Sequence, residues 1–253
     1  MEQQKLRWMR LDNAAKIYPA ARRRNWNNMF RVSATLQETV EPAILQCALE
    51  VTVKRFPSIA VRLRKGVFWY YLEEIPHTPQ VRPDTFCPLA RIKFADIRKC
   101  AFRVLYYENR IAVEIYHALT DGTGGLIFLK TLLAEYLQQR YGVQIPAEKG
   151  VLDRKEPPQE EELEDSFLKY SGAVSASRKE ASAYHIDGSK ELDGYLHITT
   201  GMLEVTEVLQ MAKSYGASVT EFLTSVLIMA ILEIQKREKP RRASRRAVKI
   251  LVP

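Results

Sequence analysis

Cysteine is scarce in this chain, and the three present, Cys47, Cys87 and Cys100, are odd in number and lack metal-ligand spacing. With no C-x-x-C and no His/Cys cluster, a disulfide framework and a structural zinc site are both excluded as expectations. Few, reduced cysteines fit a cytosolic protein, and the expected location is the cytoplasm. Long apolar runs are missing too. The longest, FLTSVLIMAILEI, spans 13 residues, against the roughly 20 that a membrane-spanning helix needs, and reads as a buried helix. The opening residues MEQQKLRWMRLDNAAKIYP contain no apolar core of signal-peptide length. The patterns G-x-x-x-x-G-K-[ST], G-x-G-x-x-G and G-x-S-x-G are all absent, so neither a nucleotide loop nor a nucleophile elbow is indicated.

What is present is the composition of an ordinary globular protein, 46% hydrophobic and 27% charged, in a chain of 253 residues that can bury a sizeable core. The net charge of +8 first invites a nucleic-acid reading. Residues 236–249, KREKPRRASRRAVK, hold eight Lys or Arg and one Glu, which leaves about +1 for everything else. The charge belongs to one segment and does not form a basic face, so a solvated loop is preferred to phosphate binding and nucleic acid is not an expected partner. ARRRNW near the start could meet a CoA phosphate, although exposed arginines are common.

Periodicity organises the rest. FRVSATLQ alternates as a half-buried strand, and a helix follows from Pro42 to Phe56. IAVRLR and VFWYYLE form one predicted hairpin, with Trp69, Tyr70 and Tyr71 as core and cross-strand packing. Residues 76–90, with four prolines, form an irregular crossing. CAFRVLYYENRIAVEIYH forms a second hairpin turning near Glu108 and Asn109, and a helix after the glycines ends near Gly142. Residues 144–193 are polar and acidic and read as a linker or surface excursion. YLHITTGMLEV reads as a strand and TEVLQMAKSYG as a helix closed by Gly216. A longer helix starts at a capping box of Ser218 and Glu221, and AVKILVP reads as a strand just beginning. The expected boundaries are therefore 1–143, 144–193 and 194–253. The expected class is α+β, with a mixed, mostly antiparallel sheet backed by helices.

The chemistry concentrates in EIYHALTDGTGGLIFLK, residues 114–130. His117 stands where a strand ends, Asp121 follows by four positions, and Gly122, Gly124 and Gly125 open an apolar helix. Imidazole titrates at about pH 6.5, which suits it to removing a proton near neutrality. Two readings fit these residues. In one, His117 is a base projecting into a cleft. In the other, His117 ends a strand, Asp121 caps a helix and the glycines make a turn. One His and one Asp are too few ligands for a metal. His77 in a Pro-rich loop and His185 in the polar linker read as surface residues, and His197 reads as a strand residue.

YHALTDG, placed between a hairpin strand and a long apolar helix, resembles the HxxxDG signature of the chloramphenicol acetyltransferase-like superfamily. That superfamily includes HxxxD acyltransferases, alcohol acetyltransferases and peptide-synthetase condensation domains. RLDNAAKIYP resembles its opening segment, residues 30–66 its first strand, helix and hairpin, and residues 206–232 the start of its second lobe. The resemblance is nearest to bacterial alcohol acetyltransferase-like proteins. It implies two lobes with a tunnel between them and His117 as the general base of a direct acyl transfer. The donor would be acyl-CoA or acyl-phosphopantetheine and the acceptor an alcohol or amine, with no bound cofactor. It also implies an architectural Asp121 held by an arginine, and a tight turn permitted by Gly122. Tyr116 stands where condensation domains usually carry a first histidine, which favours the acetyltransferase-like relatives over a condensation-type enzyme served by a carrier protein. A non-catalytic binding module with the same fold is a further alternative. Full members are longer, so the chain is expected to be a fragment, inactive by itself, that lacks the rest of its second lobe.

Overall fold

The computed structural model describes residues 6–21, 28–85, 87–90, 92–164, 182–189, 191–192, 195–238 and 246–252. Two compact units divide them. One holds the described residues through 164 with 195 and 196, and the other holds 182–192 and the residues from 197 onward. The strands of the first unit are β1 (Trp8–Arg10), β2 (Met29–Thr35), β3 (Val61–Lys65), β4 (Tyr70–Glu74), β5 (Arg82–Pro83), β6 (Phe102–Tyr107) and β7 (Arg110–Tyr116). Its helices are α1 (Ile17–Ala20), α2 (Pro42–Arg55), α3 (Phe94–Ile97) and α4 (Gly122–Tyr141).

The strands form two sheets, ordered β2-β7-β6-β5 and β1-β4-β3. In the first, β7 pairs antiparallel with both β2 and β6, and β5 adds parallel to β6. The sheet is mixed and mostly antiparallel, as the α+β expectation required. One face carries Val32, Val104, Val113 and Ile115, which pack with Leu45 and Leu49 of α2 and Phe128 and Leu132 of α4. Phe128 meets the rings of Phe56 and Phe102 edge-on at centroid distances of 5.1 and 5.6 Å. Each such buried side chain contributes roughly 1.5–3 kcal/mol. Pro42 occupies the first turn of α2, where its missing N–H costs nothing, and Gly142 ends α4 in the left-handed region at φ 69°.

The opposite face is charged, with a buried carboxylate at its centre. Arg31, Glu114 and Arg103 cross β2, β7 and β6 in one row. Glu114 is fully buried. Its carboxylate accepts from Arg31 Nη1 at 3.0 Å and from the Leu89 amide at 2.9 Å, and pairs with Arg103. Asp84, just past β5, pairs with Arg31 and with Arg110 Nη2. Burial alone would push the Asp84 carboxyl up. The hydrogen bond and charge of Arg31, joined by the Thr85 amide and Arg110, hold it below the usual carboxylate range.

The second sheet covers its own smaller core, which includes Leu11, Val61, Leu63, Leu72 and Ile97. Here the first predicted hairpin needs correction. β4 begins at Tyr70, so Val67, Phe68 and Trp69 form the turn, and Trp69 is 64% exposed rather than part of the core. The Gly66 amide donates to the Trp69 carbonyl at 2.7 Å and closes that turn.

In the second unit, α5 (Val205–Ser214) is closed by Gly216 at φ 64°. α6 (Val219–Glu238) opens on the expected capping box: the Ser218 amide donates to Glu221 Oε2 at 2.8 Å, and the Glu221 amide to Ser218 Oγ at 3.3 Å. The strand expected at YLHITTGMLEV does not form. Residues 195–204 are exposed and none of them enters a ladder, so alternation there meets no partner edge. His197 is correspondingly exposed, with Nδ1 3.6 Å from Glu191 Oε1. The strand expected at AVKILVP is reduced to a single parallel bridge between Ala247 and Ala183. Half of the basic segment, 239–245, and most of ARRRNW lie outside the described residues. Among the described residues no single helix is long and apolar enough to cross a membrane.

Candidate active site

β7 pairs along its whole length and ends at Tyr116, so the residue that follows leaves the sheet from a fixed base. His117 is that residue. Its amide donates to the Asn28 carbonyl at 2.8 Å, an extension of the β2–β7 ladder by one step. Asn28 sits in the left-handed region at φ 49°, a conformation asparagine tolerates better than most side chains. The Asn28 amide nitrogen Nδ2 also donates to the Tyr18 carbonyl at 2.9 Å, which ties α1 to the same corner.

Two aromatic rings hold the imidazole. Tyr18 stacks on it with centroids 5.1 Å apart and planes 9° apart, and the Tyr18 hydroxyl lies 3.2 Å from His117 Nδ1. Phe30 lies on it at 4.9 Å and 56°. Nδ1 therefore has a partner, while Nε2 makes no hydrogen bond among the described residues. If Nε2 is to accept a proton, Nδ1 must carry the ring hydrogen and donate it to the Tyr18 oxygen.

The turn after His117 assigns different tasks to the residues the motif singles out. Asp121 is the N-cap of α4, and its Oδ1 accepts from the Gly124 amide at 2.8 Å. Such a cap contributes about 1 kcal/mol. Among the described residues no arginine pairs with Asp121, and its carboxylate is met there by a backbone amide. The role assigned to Gly122 also moves. Gly122 is the first helical residue and has open space where a Cβ would sit. The demand falls on Gly124 and Gly125. A Cβ on Gly124 would collide with Thr120 Oγ1, and one on Gly125 would stand 2.6 Å from Phe30 Cε2. Gly125 thus lets α4 approach the ring that packs on His117.

The remaining histidines take no part. His77 and His185 are exposed, as expected. Tyr18, Asn28 and Phe30 were not singled out from the sequence. Tyr18 lies 99 residues from His117, and nothing in its local pattern marks it. It does fall within RLDNAAKIYP, the segment that carries the family resemblance.

No family model and no curated protein matches the chain. Solved structures give partial likenesses. The X-domain of teicoplanin biosynthesis, in complex with OxyB, is 16% identical over 61% of this chain and 37% of that one, with a TM-score of 0.45. The first condensation domain of the calcium-dependent antibiotic synthetase, in complex with a substrate analogue, is 16% identical over 56% and 40%, with a TM-score of 0.41. The SgcC5 protein of Streptomyces globisporus is 14% identical over 54% and 38%, also at 0.41. The chain thus spans less than half the length of each, and at these identities the likeness concerns the fold alone.

Proposed function

We propose that the protein is an acyltransferase in which His117 is the general base. What supports this reading is the free Nε2 of an imidazole fixed at a strand end by Tyr18 and Phe30, within the HxxxDG pattern. In the proposed reaction an alcohol or amine attacks the carbonyl carbon of an acyl thioester while Nε2 accepts its proton. The tetrahedral intermediate collapses, the carbon–sulfur bond breaks, and the imidazolium returns the proton to the leaving thiolate. No acyl-enzyme forms, so the protein's work is orientation and proton transfer. Asp121 and Gly125 act on geometry: one starts α4 and the other seats it against Phe30.

The proposed donor is acyl-CoA, and the proposed catalyst is the full-length gene product with a complete second lobe. Incubating that protein with acetyl-CoA and a panel of alcohols and amines, and measuring free thiol, tests the reading. Acceptor-dependent thiol release supports it. Release only from an acylated carrier protein would assign the donor to a phosphopantetheine arm, and no release from either donor would reject acyl transfer.

A further inference from the structure

A concave site lies beside α1 and the β3–β4 turn. A cleft of about 600 Å³ is lined by Arg10 and Leu11 at the end of β1, Lys16 and Pro19 around α1, and Phe68 and Trp69 in the β3–β4 turn. Its volume is that of a small-ligand pocket, typically about 300–1,000 Å³. Two features set it apart from an accidental depression. Phe68 and Trp69 are 87% and 64% exposed, although large aromatic side chains are ordinarily buried. They sit in a short turn closed by a 2.7 Å backbone hydrogen bond. The cleft's lining also carries two cations, Arg10 and Lys16. Arg10 has no acidic partner among the described residues. Among the described residues Lys16 Nζ meets only the neutral amide oxygen of Asn13, at 2.7 Å. Asp12, the acid between the two lining cations, has Oδ1 engaged by the Ala15 amide.

Aromatic faces beside a planar guanidinium and an ammonium fit a ligand with a flat apolar body and an anionic head. The ring would stack on Trp69 while Arg10 takes two oxygens of the head group in its fork. We infer that this cleft binds a small aromatic anion, a carboxylate or a phosphate ester, independently of His117. The inference does not rest on the acyl-transfer reading.

Isothermal titration with trans-cinnamate, phenyl phosphate and the neutral isostere cinnamamide tests it. The expected result is saturable binding of one or both anions, with cinnamamide at least about tenfold weaker. Whichever anion binds more tightly names the head group. Arg10→Gln and Trp69→Ala change exposed side chains outside both cores, so folding is retained. Each is expected to weaken anion binding about tenfold, while His117→Ala leaves it unchanged. Failure of both anions to bind, equal affinity for cinnamamide, or wild-type affinity in both cleft variants would overturn the proposal.

Discussion

Tyr18 lies flat against His117 and brings its hydroxyl to 3.2 Å from Nδ1, across 99 residues of sequence. The contact orients the ring and is compatible with the tautomer that leaves Nε2 unprotonated, in which Nδ1 donates to the hydroxyl oxygen.

Replacing Tyr18 by Phe separates these two effects. The stack remains and the hydrogen bond is lost, a change of about 1 kcal/mol in stability. The expected result is a turnover about tenfold lower with KM little altered. Nitrogen NMR of the imidazole checks the cause: wild type should hold the hydrogen on Nδ1 and the variant should show a mixture. A purely structural Tyr18 would leave the tautomer unmoved.

The buried charge row predicts how stability depends on pH. Asp84 has a folded pKa held below its ordinary value, so its contribution is complete above about pH 5 and is lost as pH falls through the folded value. Asp84→Asn removes that dependence while leaving Arg31 still paired with Glu114. In urea unfolding, the stability difference between pH 7 and pH 3 should be smaller in the variant than in wild type. Equal differences would show that Asp84 does not carry the acid response.

Thiol chemistry follows burial. Cys100 donates to the Phe102 carbonyl, and burial pushes its thiol up to about 11, whereas Cys47 is exposed on α2. At pH 8 a disulfide reagent should modify Cys47 quickly and the half-buried Cys100 much more slowly. Rapid labelling of Cys100 in the native protein, located by peptide mapping, would contradict this packing.

Residues 28–142 were largely legible in the sequence because local pattern and tertiary burial agree there. The alternation of β2, the two hairpins, the prolines and Gly142 all announce the elements they form. The strand expected at 195–205 failed because alternation is only half of a strand and the sequence cannot supply the neighbouring edge. Trp69 was misplaced because its hydrophobicity argued for the core while the turn geometry put it at a hairpin tip. The charge row was readable in principle, since FRVSA, FRVLYY and AVEIY each hold one charge inside an apolar run. Register, which only pairing reveals, turns those three charges into one network. At the site, His117 and Asp121 stood out by type and spacing. Tyr18, Phe30 and the separate burdens on Gly124 and Gly125 did not, because long-range packing defines them.

The central claim is that His117 serves chemistry and not the fold, and the His117→Ala variant of the full-length protein tests it most directly. Thiol release and melting temperature are measured on the same samples. The account predicts a loss of turnover of at least about a hundredfold, with melting within a few degrees of wild type, because the imidazole is half-buried and, among the described residues, touches the fold through the rings of Tyr18 and Phe30 at the rims of the cores. Unchanged turnover, or lost activity explained by an equally large loss of stability, would contradict it.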